Sequence, residues 1–148
     1  MKQYSFSNVA VTGMPTIQDI ENRFIFGDVS RVINVSGHDY SRDIKRALKK
    51  RGITVHSLPL VEEGPDMGWQ NILSAVRILM EADAAGEKVI VHCYCGNNRS
   101  RTVVEAFHYA KTGTHLEDEY KGELNHLIYN SKNGHLPELP VLEKDLVI

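Results

Sequence analysis

The sequence has only two cysteines, and they stand two positions apart, at Cys93 and Cys95. A disulfide framework needs well-separated partners, so this spacing excludes the small stapled folds of secreted proteins. Long hydrophobic runs are missing too: no stretch approaches the roughly 20 apolar residues of a membrane span. The segment from Met1 to Ser7 lacks the apolar centre of a secretory signal. These absences together give the expectation of a cytoplasmic protein whose thiols stay reduced. An excess of one charge is also lacking, since 17 Lys and Arg against 19 Asp and Glu leave a formal net charge of −2. That balance disfavours nucleic acid as a partner, because neutralising a phosphate backbone requires a concentrated basic face. The basic cluster between Arg42 and Arg51 falls at helical spacing and reads as a solvated outer face.

What is present suits one globular domain over residues 1–148, with 42% apolar residues to build its core. Val9–Val11, Arg23–Phe26, Arg31–Val35, Ile53–Leu58 and Val89–Val91 read as short strands, the last of them central. Ser41 is placed to cap a helix that presents Ile44, Ala47 and Leu48 and stops at Gly52. Trp69, Ile72, Leu73, Val76, Leu79 and Met80 recur at helical intervals up to a stop at Gly86. A further helix spans Ser100–Lys111, and a capping box at Thr114–Glu117 opens a last one through Tyr120, Leu124, Leu127 and Ile128. Strands alternating with helices predict an α/β fold, with a central, mostly parallel sheet of about four or five strands flanked by helices. Ligands of such sheets sit at the carboxyl ends of the strands, where Cys93 falls.

The run His92-Cys93-Tyr94-Cys95-Gly96-Asn97-Asn98-Arg99-Ser100 carries the chemistry. An apolar strand delivers a thiol into a polar loop, a helix follows, and the loop is long enough to curl round one tetrahedral dianion. The thiolate is the reactive form of cysteine, and three features favour it here: the positive end of the following helix, inward-facing amides of residues 94–99, and the fixed charge of Arg99. The same groups suit a bound phosphoryl, with the planar fork of Arg99 matched to two of its oxygens. Gly96 fits a position where a side chain would crowd the anion. Ser100 can donate to the sulfur as it leaves, and His92 is expected to order the turn rather than to act as a base.

This pattern resembles the signature loop of the protein tyrosine phosphatase superfamily, with Cys93 and Arg99 six positions apart and His92, Gly96 and Ser100 at their fixed offsets. The short chain is similar to the small dual-specificity branch, and the looser likeness runs from Arg31 to about Leu127. The resemblance implies a phosphomonoester hydrolase that works through a cysteinyl-phosphate intermediate, with neither a metal nor an organic cofactor. It implies a phosphorylated protein or peptide as partner, bearing phosphotyrosine, with phosphoserine or phosphothreonine beside it, while the lack of a long apolar run argues against a membrane. It also implies a general acid on a loop about 30 residues before the nucleophile. Glu63 matches that offset, since 93 − 63 = 30, whereas Asp66 has the usual side chain at a less usual offset. Both stay open, with Glu63 the first choice.

The alternative on the same scaffold is a catalytically weak or inactive module that holds a phosphate or phosphopeptide. The neutral loop residues Tyr94, Cys95, Asn97 and Asn98 weigh against a phosphoinositide substrate. Cys95 has two readings, a resolving thiol for an oxidised Cys93 or a small loop residue. Arg101 likewise has two, a solvated helix position or a group that reaches a second acidic function on the substrate. His92, Cys93 and Cys95 crowd three candidate ligands into four residues, unlike the separated pairs of zinc sites, so no metal is expected. Nothing in the pattern sets an oligomeric state.

Overall fold

A computed structural model describes residues 1–61, 67–95, 98–117, 122 and 124. Five strands form one sheet: β1 (Lys2–Tyr4), β2 (Val9–Thr12), β3 (Val29–Asn34), β4 (Thr54–Ser57) and β5 (Lys88–His92). Their order is β1-β2-β5-β3-β4, and only β1 runs antiparallel to its neighbour. The α/β class and the mostly parallel sheet therefore stand as the sequence predicted them, with β5 at the centre.

Period-two alternation divides the core between the two faces of the sheet. Val9, Val11, Ile33, Val89 and Val91 point to one face, where they meet α3 (Trp69–Ala84) and α4 (Asn98–Thr112) through Ile72, Leu73, Val76, Val103 and Phe107. Ala10, Val32 and Ile90 point to the other, against Ile20 of α1 (Ile17–Glu21) and Leu48 of α2 (Arg42–Lys50). Covered on both sides, β5 reads Val-Ile-Val without a polar break, as an interior parallel strand must. Each of these three side chains is at most 1% exposed, and such burial contributes about 1.5–3 kcal/mol per residue. The helix ends follow local rules. Ser41 Oγ accepts from the Ile44 amide at the start of α2, and Gly52 follows its C-cap with φ of +68°.

Two stretches differ from the sequence reading. Arg23–Phe26 is not a strand: Arg23–Ile25 form a single 3₁₀ turn in which all three residues have positive φ, 52°, 58° and 61°. The turn tucks Phe24 into the α1–α2 face and leaves Ile25 85% exposed, so the apolar pair that suggested a strand serves opposite surroundings. The N-terminal strand β1 was not anticipated. It is three residues long, too short for alternation to register, and exists because β2 offers an edge on which Lys2 pairs with Val11. The helix expected after Ser100 begins two residues earlier, at Asn98, which puts Asn98 and Arg99 on its first turn. The last helix, apart from Leu124, lies outside the described residues. No helix among them is long and apolar enough to cross a membrane.

Register is what positions the site. Thr12 pairs with His92, His92 with Asn34, and Asn34 with Ser57. All four parallel strands thus end at one level, and the chain leaving each of them enters the same rim.

Candidate active site

Cys93 is the first residue beyond β5 and is 2% exposed. Burial alone is a common fate for cysteine, and one side of Cys93 does meet the apolar cluster beneath α3 and α4. Its polar company is less common. Sγ lies 3.4 Å from the hydroxyl of Ser100, itself fully buried on the first turns of α4. One turn of helix thereby carries a hydroxyl to the sulfur and the Arg99 guanidinium to the same rim.

Arg99 is held by the ends of the neighbouring strands. Its Nη1 donates to the Ser36 carbonyl at 2.8 Å, with the Leu60 carbonyl at 3.4 Å. Ser36 is fixed in turn, because its amide and hydroxyl both donate to Asn34 Oδ1, at 2.9 and 2.6 Å. Asn34 Nδ2 donates to the His38 carbonyl at 2.9 Å, which closes the turn after β3. The tether therefore fixes the plane of a guanidinium whose chemistry depends on planar presentation.

His92 is fully buried and touches Cys93 through the backbone. Its Nδ1 lies 3.0 Å from the Cys93 carbonyl, and its Nε2 lies 2.5 Å from the Tyr40 hydroxyl. A carbonyl can only accept, so Nδ1 carries the proton and Nε2 accepts from Tyr40. Burial pulls the His92 pKa down to about 4, against the opposing pull of the Cys93 carbonyl. Burial, helped by the nearby Asp39 carboxylate, pushes the Tyr40 phenol up, while a hydrogen bond from Asn34 opposes it. Both partners are neutral near pH 7, and the imidazole braces the turn that aims Cys93.

The other flank is packed backbone to backbone. The Met14 amide donates to the Tyr94 carbonyl at 2.9 Å, and a Cβ on Gly13 would lie 2.9 Å from that same oxygen. Only glycine allows this approach. The Tyr94 side chain is 55% exposed and stands against His38, with ring centroids 5.1 Å apart. Cys95 is exposed.

The structure thus gathers His92, Cys93, Tyr94, Cys95, Asn98, Arg99 and Ser100 at one end of the sheet. Gly96, Asn97 and both acid candidates, Glu63 and Asp66, lie outside the described residues. Sequence reasoning missed Tyr40, Ser36, Asn34 and Gly13. Three of these act through main-chain groups or through a partner brought from another strand, and leave no local pattern to find. Among the described residues no three His, Cys, Asp or Glu side chains gather in a metal-binding group.

No family model and no curated protein matches the sequence. Solved structures do match in fold. A putative phosphatase from Shewanella putrefaciens is 15% identical, with a TM-score of 0.65 over 99% of this chain and 87% of its own. PTPMT1 is 21% identical, with a TM-score of 0.64 over 94% of this chain and 91% of its own. The core catalytic domain of the PP-IP phosphatase SIW14 from S. cerevisiae is 10% identical, with a TM-score of 0.62 over 95% and 80%. The chain has the fold of the small protein tyrosine phosphatase-like enzymes, the one that its signature loop implied.

Proposed function

We propose that the protein is a cysteine-dependent phosphomonoester hydrolase. The observation that carries this reading is the meeting, on one strand end and one helix turn, of the Cys93 sulfur, the Ser100 hydroxyl and a carbonyl-tethered Arg99. The Cys93 thiolate attacks phosphorus in line and forms an S–P bond as the ester P–O bond breaks. Arg99 takes up the charge on the equatorial oxygens, which the tether through Ser36 aims without reorganisation. Glu63, or Asp66 in its place, protonates the departing oxygen and then, as carboxylate, draws a proton from the water that cleaves the S–P bond. Ser100 donates a hydrogen bond to the sulfur as it leaves as thiolate. His92, neutral and hydrogen-bonded at both nitrogens, keeps the strand-to-loop turn in place.

Phosphotyrosine in a protein or peptide is the first substrate class, with phosphoserine and phosphothreonine beside it. The fold relatives widen the choice, for PTPMT1 has been captured with PI(5)P and SIW14 is a PP-IP phosphatase. Acid quenching of steady-state turnover, followed by mass spectrometry, should find phosphate on the peptide that carries Cys93. Its absence under conditions of sustained turnover would rule out the covalent route.

The acid can be assigned by leaving group. Glu63→Gln should slow hydrolysis of an alkyl phosphate by about 10²–10⁴-fold while touching a nitrophenyl ester far less, since a good leaving group needs little protonation. If Asp66→Asn shows that contrast and Glu63→Gln does not, the role moves to Asp66. No contrast in either variant removes both.

A further inference from the structure

At one side the sheet ends in β4, and among the described residues no strand lies beyond it. The Leu58 amide donates to the Asn34 carbonyl at the end of β3, at 2.9 Å. Alternation along β4 therefore turns the N–H and C=O of Val55 and Ser57 away from β3, towards the open edge. Between this edge and α2 runs a cavity of about 330 Å³, bordered by Val55 and Ser57 on the strand and by Lys45, Leu48 and Lys49 on the helix. Leu48 is buried in the core, whereas Val55 is 38% exposed and presents an apolar side chain to the cavity. Tyr40, whose hydroxyl meets His92, also borders it, so the cavity starts behind the rim of the reactive site and leads away from it.

The helical wall is basic. Arg42, Lys45, Arg46 and Lys49 stand at i, i+3, i+4 and i+7, on one exposed face of α2. Residues 42–51 hold six basic side chains against Asp43 alone, in a chain whose net charge is −2, so the positive field belongs to this helix and not to the surface at large. Asp39 is the one acidic residue on the cavity wall, and Lys45 meets its carboxylate at 2.9 Å. Lys49 has no ion-pair partner among the described residues. Lysines beside a short edge strand guard it against chance pairing. Such a guard repels a second copy of this chain, because edge-to-edge pairing would bring two basic rims together. It attracts an extended segment that carries acidic side chains.

We propose that the β4 edge and the basic face of α2 form a docking groove for an extended, acidic segment of a peptide substrate, a few residues away from the phosphorylated one. The inference rests on the hydrolase reading with a phosphopeptide as substrate, and it assigns a place to the rest of that peptide. Main-chain groups of the segment pair with Val55 and Ser57, as in strand addition to a sheet edge. Alternate side chains then face the helix, which sets the pattern acidic-x-apolar-x-acidic: the acidic pair meets Lys45 and Lys49, and the apolar side chain covers Val55. β4 lies two strand spacings from β5, about 10 Å, which three or four extended residues span.

The probes are phosphotyrosine peptides in which Glu-Ser-Val-Ser-Glu starts four residues from the phosphotyrosine, on either side, against the same peptides with Gln-Ser-Ser-Ser-Gln. In one of the two placements the acidic probe should have a kcat/KM about tenfold higher, through KM and not kcat, because binding remote from the reaction is uniform. Lys45→Met with Lys49→Met, both exposed positions, should remove most of that gap, and so should N-methylation of alternate probe amides. Nitrophenyl phosphate should be hydrolysed alike by native and variant protein. Hydrogen exchange reads the edge itself: the Val55 and Ser57 amides should exchange freely in the free protein and slow when the acidic probe binds Cys93→Ser. Equal kcat/KM for acidic and neutral probes in both placements overturns the groove, as does a gap that survives the lysine substitutions. Protection of both amides in the free protein overturns it too. If that protection falls on dilution, a second copy fills the edge; if it does not, another segment of the same chain does. Failure of the hydrolase reading looks different: neither peptide nor nitrophenyl phosphate turns over, while the acidic probe still slows exchange at Val55 and Ser57.

Discussion

Cys93→Ser should cut the turnover of an aryl phosphate by about 10⁴–10⁶-fold, the scale on which removal of a covalent nucleophile acts. Serine nearly matches the volume of cysteine, so the core contacts beneath α3 and α4 persist and the loss reports on chemistry. The serine hydroxyl stays protonated where a thiolate is required, and Ser100 cannot replace the sulfur because it is itself fully buried on α4. Arg99→Lys is the companion variant. It keeps the charge but loses the fork and the donation to the Ser36 carbonyl, and should cost about 10²–10³-fold in kcat. The two variants should also part in binding. Cys93→Ser keeps its affinity for phosphate, whereas Arg99→Lys weakens it. Activity in Cys93→Ser equal to that of the native protein would end the covalent mechanism.

The sequence made the centre of the molecule legible because its signals there are local. Val89–Val91 is an uninterrupted β-branched run, and the nine residues from His92 to Ser100 hold their spacing whatever surrounds them. The strand that delivers the reactive loop could therefore be read directly. The walls of the site could not, because they are made by register. Ser36 matters for its carbonyl, Gly13 for the side chain it lacks, and Tyr40 for a histidine 52 residues away. Arg23–Phe26 went wrong for a related reason: two apolar neighbours look like a strand until the partner surfaces are known, and here one faces the core and the other faces water. The general acid shows the same limit, since Glu63 and Asp66 stand only three positions apart and no local pattern separates them.

Acid should destabilise the protein through His92. His92 has a pKa of about 4 in the fold, against 6.5 for an unhindered imidazole, and burial is the cause. Between these values the unfolded chain binds a proton that the native state refuses, so stability rises with pH across the interval. The stabilisation is complete above pH 6.5, is lost as the pH falls towards 4, and amounts to about 3 kcal/mol. Urea denaturation at a series of pH values from 7.5 to 4 measures it. His56, also held low by burial and by the neighbouring Arg31, adds a slope of the same sign, so the share of His92 must be isolated by substitution. Asp39, whose pKa is lowered first by Lys45, and Asp83, where burial is outweighed by Lys111 and Ser7, add a slope of the same sign at the acid end, as the unfolded aspartates take up protons. In His92→Asn the amide nitrogen can still donate to the Cys93 carbonyl, and the denaturation midpoint should change far less from pH 6.5 to 4. Tyr40→Phe leaves the buried Nε2 without its donor, which should cost about 1–3 kcal/mol at neutral pH and raise the His92 pKa by making an external proton easier to accept. An unchanged acid slope in His92→Asn would mean that the imidazole is not held neutral by the fold. The turn at Cys93 would then owe its shape to the backbone of β5 and α4 alone.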